Sequence, residues 1–250
     1  MAVHNMLVGV DGSVPSVQAL RWTVALAREL SAHVHIAFAF QPVQSEKPPG
    51  VLERLVEEET HRLHTWCDAE VAGVDASFHA VPGDPRSVLP DMVQQLGIDL
   101  LVLSTLGATG AQPGLFRFGS VTEAVVRLAP TTMAVIAPVQ RVDAHAQPLR
   151  RVLLCNDGSD HGQAAVQWLR SLERQRGGTA EVIPLYVDPK AIDPSSSVDD
   201  EILATGDDHD VDAIVMGTRG AGGFSSLRLG GVALGVVRRT TRPVVLVPPA

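Results

Sequence analysis

One structural unit is written twice in this chain, and that doubling constrains the fold more than any other feature. Met6-Leu7-Val8-Gly9-Val10-Asp11-Gly12-Ser13 opens the first copy, and Val152-Leu153-Leu154-Cys155-Asn156-Asp157-Gly158-Ser159 opens the second. Each is an apolar run closed by Asp-Gly-Ser. A helical pattern follows each: Val17, Leu20, Trp22, Val24, Ala25 and Ala27, then Ala164, Ala165, Val166, Trp168 and Leu169. The order reads strand, turn, helix, with Ser or Asp placed to cap the helix. The closing pieces match too. Asp99 to Ser104 and Asp212 to Gly217 read as short apolar strands, each followed by a glycine-rich loop. Val121 to Leu128 and Val232 to Arg239 read as helices, and Met133 to Ala137 and Val244 to Val247 as last strands. Short, uniformly apolar strands alternating with helices predict a parallel sheet covered on both faces. The expected fold class is α/β, with two doubly wound parallel-sheet domains in tandem.

The first copy, residues 1–140, is complete. Strands are expected at 6–10, 34–40, 77–81, 100–104 and 133–137, with helices at 16–30, 50–72, 86–96 and 119–128. A polar, unpatterned linker runs from Val139 to Leu149. The second copy, 150–250, is shorter: 96 positions separate Asp11 from Gly107, but only 63 separate Asp157 from the matching Gly220. Its second strand survives as Glu181 to Val187, and one helix follows at about 198–206. Helix 2 and strand 3 are therefore the missing pieces. A strand can be lost without wrecking a sheet only at an edge, where it has one neighbour. Strand 3 is expected outermost, in the flavodoxin-like order or a variant of it.

Composition narrows the setting. A formal net charge of −8 argues against binding nucleic acid or an anionic membrane. Cys67 and Cys155 are the only cysteines, too few and too far apart for a disulfide framework or a zinc site. Two such cysteines fit a reducing cytoplasm, which is the expected location; no signal peptide is expected, since a basic stretch followed by a long apolar one is not evident.

The loops after the fourth strands carry the functional signal. One copy has Gly217-Thr218-Arg219-Gly220, nine residues, then Gly230-Gly231; the other has Ser104-Thr105-Leu106-Gly107, eleven residues, then Gly119-Ser120-Val121-Thr122. Glycine lets backbone approach a ligand closely, and a helix N-terminus offers N–H groups to an anion such as phosphate. Ser120 and Thr122 could add hydroxyl donors. Asp11 and Asp157 fall at the same sheet edge, where a ribose hydroxyl could donate to them. The plain alternative is that such glycines only let a helix pack close to a strand.

Doubled strand–Asp-Gly-Ser–helix units, each closing with Gly-x-x-Gly, nine residues and Gly-(Ser/Thr), resemble the universal stress protein family. The resemblance spans nearly the whole chain. It implies a five-stranded parallel sheet per unit and, as in many members, ATP bound through the glycine motif, with magnesium as its companion ion. By resemblance Asp11 and Asp157 would meet the ribose or adenine end, and Ala39 and Val187 would lie against adenine. Gly107, Gly119, Ser120 and Val121 would hold phosphates in the first unit, and Gly217, Gly220, Gly230 and Gly231 in the second. Departures are specific: Ser104 replaces the first glycine, the first spacer is two residues too long, and Gly231 replaces the hydroxyl residue. The resemblance also implies that the two last strands pair, here within one chain as a pseudo-dimer, with a homodimer as a further assembly.

Three functions stay open at this point: a regulatory nucleotide-binding protein of the stress response, a nucleotide-free interaction module, and a slow ATPase. Neither a Gly-x-Ser-x-Gly elbow nor a Gly-Lys-(Ser/Thr) phosphate loop occurs, so no catalytic residue is assigned. His61, His64 and Cys67 share a helix face, and Asp207-Asp208-His209-Asp210 form a charge run; solvated surface, not metal ligation, is expected for both. Trp22, Trp66 and Trp168 are expected to be packing residues.

Overall fold

The computed structural model describes residues 2–42, 50–106, 119–128, 130–137, 148–187, 197–220 and 229–249. The first half comprises β1 (Asn5–Gly9), α1 (Val14–Leu30), β2 (His33–Phe40), α2 (Val51–Cys67), β3 (Ala76–Pro82), α3 (Pro85–Gln95), β4 (Leu100–Ser104), α4 (Ser120–Leu128) and β5 (Thr132–Ile136). The second comprises β6 (Arg151–Asn156), α5 (Asp160–Arg176), β7 (Glu181–Tyr186), α6 (Val198–Asp208), β8 (Ala213–Gly217), α7 (Gly231–Arg239) and β9 (Val244–Val247). Their kinds and order follow the apolar pattern. The largest shift is at α2, which stops at Cys67 instead of 72: the N–H groups of Glu70 and Val71 both turn back to the Cys67 carbonyl.

The strands form one sheet in the order β3-β2-β1-β4-β5-β9-β8-β6-β7. All neighbours run parallel except β5 and β9, which pair antiparallel with Met133 opposite Leu246 and Val135 opposite Val244. The last strands of the two halves therefore join them into a continuous sheet. The first half does not take the flavodoxin-like order; it takes the variant with strand 3 outermost. The second half repeats that order without an equivalent of β3, so β7 is an edge.

Edge strands invite pairing with other chains. The N–H groups of Glu181 and Val187 donate to β6 at 2.7 and 3.0 Å, so by alternation those at 182, 184 and 186 point outward. Pro184 stands at the middle one. It offers no donor there and is tolerated because β6 never needed one.

Side chains alternate between the two faces, and each face has its own core. Met6, Val8, Leu100, Val102, Val215 and Val245 meet α1, α2 and α5 through Leu20, Leu26, Leu63, Trp168 and Leu169. Leu7, Leu101, Met133, Ile214 and Leu246 meet α3, α4, α6 and α7 through Leu89, Val126, Ile202 and Val236. Burial on both faces is why these strands carry almost no polar residue. Trp22 and Trp168 are core residues, but Trp66 is 39% exposed and does not fill the packing role expected of it.

Candidate functional site

The turns that close β1 and β6 are built alike. Asp11 Oδ1 accepts from the backbone N–H and the hydroxyl of Ser13 at 3.0 and 2.5 Å, and Asp157 Oδ1 accepts from those of Ser159 at 3.1 and 2.5 Å. Gly12 and Gly158 between them have φ of 78° and 79°, a left-handed conformation that disfavours side chains. Each serine then caps its helix: Ser13 Oγ accepts from Ser16 N–H, and Ser159 Oγ from Gly162 N–H. So the serine is the cap and the aspartate shapes the turn.

The loops after β4 and β8 close with the same hydrogen bonds. Thr105 N–H donates to Ile136 O and Gly119 N–H to Thr105 O; Thr218 N–H donates to Val247 O and Gly230 N–H to Thr218 O. Thr105 and Gly119 are 14 positions apart, Thr218 and Gly230 are 12. The first loop thus carries a two-residue insertion, and Leu106 stands where the second half has Arg219. Gly107 lies outside the described residues.

A cavity opens at the strand ends of each half. In the second it measures about 310 Å³ and is bounded by Asp157 and Val187, by Gly217, Arg219 and Gly220, and by Gly230 and Gly231 at the start of α7. Cys155, Ile202 and Met216 form its apolar floor. In the first it measures about 200 Å³ and is bounded by Asp11, Ala39, Ser104, Gly119, Ser120 and Val121. Ligand sites commonly fall at ~300–1,000 Å³, so the second is the roomier candidate.

The glycines of the second loop have different reasons. A β-carbon at Gly217 would stand 2.6 Å from the carbonyl carbon and oxygen of His161, so that glycine lets α5 start against β8. This is the packing explanation, and it is sufficient for Gly217. A β-carbon at Gly231 would meet nothing within 4 Å among the described residues, so none of them explains that glycine by packing. The cap of α7, Gly230, makes no side-chain bond to the helix N–H groups. The first turn of α7, from Gly231 to Ala233, lines the cavity, and a helix start of this kind carries N–H groups without helical partners and partial positive charge.

The first half differs in detail. The Ser104 hydroxyl donates to Leu106 O at 2.8 Å, which accommodates a side chain where the motif favours glycine. The Thr122 hydroxyl donates to Ser104 O at 2.7 Å and is buried. Thr122 is therefore not a ligand donor as expected; its proton ties α4 to β4. Ser120 remains exposed at the start of α4.

Two nearby titratable groups are shifted toward their neutral forms. Burial pushes the Cys155 thiol up to about 12, so it is no nucleophile. Burial, then the Arg219 charge, lowers the pKa of His161, whose Nδ1 lies 2.9 Å from the Thr218 hydroxyl.

The sequence model of the Universal stress protein family matches residues 2–137 and 195–248. The chain belongs to this family. Among solved structures it is similar to a universal stress protein from Archaeoglobus fulgidus DSM 4304, at 18% identity and a TM-score of 0.72 over 98% of each chain. It is also similar to a functionally unknown protein from Pseudomonas aeruginosa PAO1, at 14% identity and a TM-score of 0.69 over 99% of this chain and 93% of that one. At such identities the likeness concerns the fold. No curated protein matches.

In this universal stress protein, every described residue nominated from the sequence lines one of the two cavities: Asp11, Ala39, Gly119, Ser120 and Val121 in one, Asp157, Val187, Gly217, Gly220, Gly230 and Gly231 in the other. Sequence reasoning missed Arg219, a cation beside the glycine loop, and Asn156 next to Asp157. The Arg in Gly217-Thr218-Arg219-Gly220 was a readable signal, since phosphate sites favour Arg.

The remaining candidates resolve as structure. Cys67 is buried, and the His64 ring meets Phe78 edge-on at 4.5 Å between centroids. Asp207 and Asp210 are not simply solvated; both lie 3.3 Å from the Arg242 guanidinium. Among the described residues no His, Cys, Asp and Glu group could hold a metal, and no helix is long and apolar enough to cross a membrane.

Proposed function

We propose that this family member is a regulatory protein of the cytoplasm that binds an adenine nucleotide, ATP with its magnesium ion, and acts in stress response. One observation carries the reading: in both halves a cavity lies between an Asp-Gly-Ser strand end and the N-terminus of the helix after the glycine loop. The chemistry fits the ligand's parts. Asp157 and Asp11 would accept from ribose hydroxyls. Val187 and Ala39 would lie against adenine. Gly220, Gly230 and Gly231, and in the first half Gly119, Ser120 and Val121 with Gly107, would bring backbone N–H groups to the phosphates. Magnesium would arrive with the phosphate oxygens. The two units would be residues 1–140 and 150–250, joined through β5 and β9 as a pseudo-dimer.

The test is direct. Freshly purified protein is denatured, and released small molecules are identified by mass spectrometry; apo protein is then titrated with ATP by calorimetry. Adenine nucleotide in the first experiment and saturable binding in the second are expected, with phosphate release at background. No nucleotide, and no binding at millimolar ATP, would refute the reading and favour a nucleotide-free interaction module.

A further inference from the structure

The two cavities occupy equivalent places but differ in charge. The matched hydrogen bonds of Thr105 and Thr218 put Leu106 and Arg219 at the same position. Arg219 lines the second cavity, so that cavity has a permanent cation beside Gly220 and Gly230. Leu106 gives the first no counterpart among the described residues. The helix starts differ in the same direction. The first turn of α4 carries Glu123, held ionised by its bonds to Arg127 and by the Arg238 charge, whereas α7 has no acid in its first turn. A carboxylate in the first turn already uses the helix field that an anionic ligand would exploit. Size agrees: about 310 Å³ against about 200 Å³. Burial first, and then the Arg219 charge, lowers the pKa of His161 against the pull of Asp157 and Asp160, which places that cation near the His161 ring.

From these differences we infer that the second cavity holds the phosphorylated nucleotide and that Arg219 reads its phosphate charge, whereas the first is suited to a smaller ligand of lower charge. This rests on the nucleotide reading above. Arg219 sets preference by charge: a guanidinium bonds phosphate oxygens strongly but gains no charge attraction from a nucleoside. The contribution should therefore grow with the number of phosphates.

The full chain and its Arg219→Met and Arg219→Lys variants would be titrated with adenosine, AMP and ATP by calorimetry at two salt concentrations, with far-UV circular dichroism as the folding check. Arg219→Met should weaken ATP at least tenfold, weaken AMP less, and leave adenosine within twofold. Arg219→Lys should recover most of the ATP affinity, and the salt dependence of ATP binding should flatten in Arg219→Met alone. Unchanged ATP binding in Arg219→Met would overturn the inference while leaving the nucleotide reading intact. Equal loss for adenosine and ATP would overturn it too, by assigning Arg219 to the cavity's shape. If the unaltered chain binds neither adenosine nor ATP, the nucleotide reading itself fails.

Discussion

A β-carbon on Gly220 would stand 2.7 Å from the Oδ2 atom of Asp157. The glycine loop and the strand-end aspartate thus face each other so closely that no side chain fits between them. Asp157 cannot simply swing aside, because Ser159 holds its other carboxylate oxygen. Gly220→Val should displace the carboxylate and lower ATP affinity at least tenfold, or about 1.4 kcal/mol. Calorimetry measures it; unchanged affinity would show that Asp157 does not contact the ligand.

Gly217 should behave differently. Its β-carbon would run into backbone atoms of His161, which cannot rotate away. Gly217→Ala should therefore cost stability, about 1–3 kcal/mol as for other overpacked positions. A lowered urea midpoint is expected whether or not nucleotide is present. A midpoint equal to that of the unaltered chain would refute the packing role.

Gly231→Ser restores the hydroxyl that the family motif carries at this place. The space is open and the residue begins α7, so no strain is introduced. One added hydrogen bond contributes about 1 kcal/mol, so ATP should bind several-fold tighter. Weaker binding in calorimetry would count against phosphates at the α7 N-terminus.

Acid should loosen the β2–β3 edge. His35 Nδ1 and His79 Nε2 lie 3.0 Å apart, and a hydrogen bond between them needs one nitrogen without a proton. Burial, then the charges of His33 and His79, lowers His35 to about 4, with Asp75 pulling the other way; His79 is lowered by burial and by His33. Both folded-state values sit below the unfolded ones, so the unfolded chain binds more protons as pH falls through about 6.5 toward 4. Stability from this pair is complete above that window and lost within it. Urea midpoints from pH 7.5 to 4.5 should fall, and His35→Gln should flatten the decline; an equally steep decline in that variant would exclude the pair as its source.

Pro184→Val returns an outward N–H to the middle of the β7 edge. Concentration-dependent association is expected in sedimentation velocity, because the edge then offers a full row of partners. Identical sedimentation of both proteins would show that Pro184 does not guard the edge.

Much of this was legible because it is local or counted. Asp-Gly-Ser after an apolar run specifies a strand end, a left-handed turn and a capped helix within eight residues. The shortfall in the second copy located the missing strand, since only an edge can lose one, and β3 is at the edge. The site residues were legible as a motif, but their reasons were not. Gly217 and Gly231 look alike in the chain; one is required by His161 and the other by none of the described residues. Thr122 looked like a ligand donor, yet its hydroxyl is committed to Ser104.

The amino-acid pattern alone determined the elements, the doubling and the neighbourhood of the glycine loops, because periodicity and turn chemistry act over a few residues. Only the tertiary structure decided which charge each cavity sees, which edge β7 presents and which histidines share a proton. Those depend on side chains brought together by strand register and helix packing, such as Arg219 beside His161 across 58 positions and His35 against His79 across 44. Sequence spacing carries no record of such meetings.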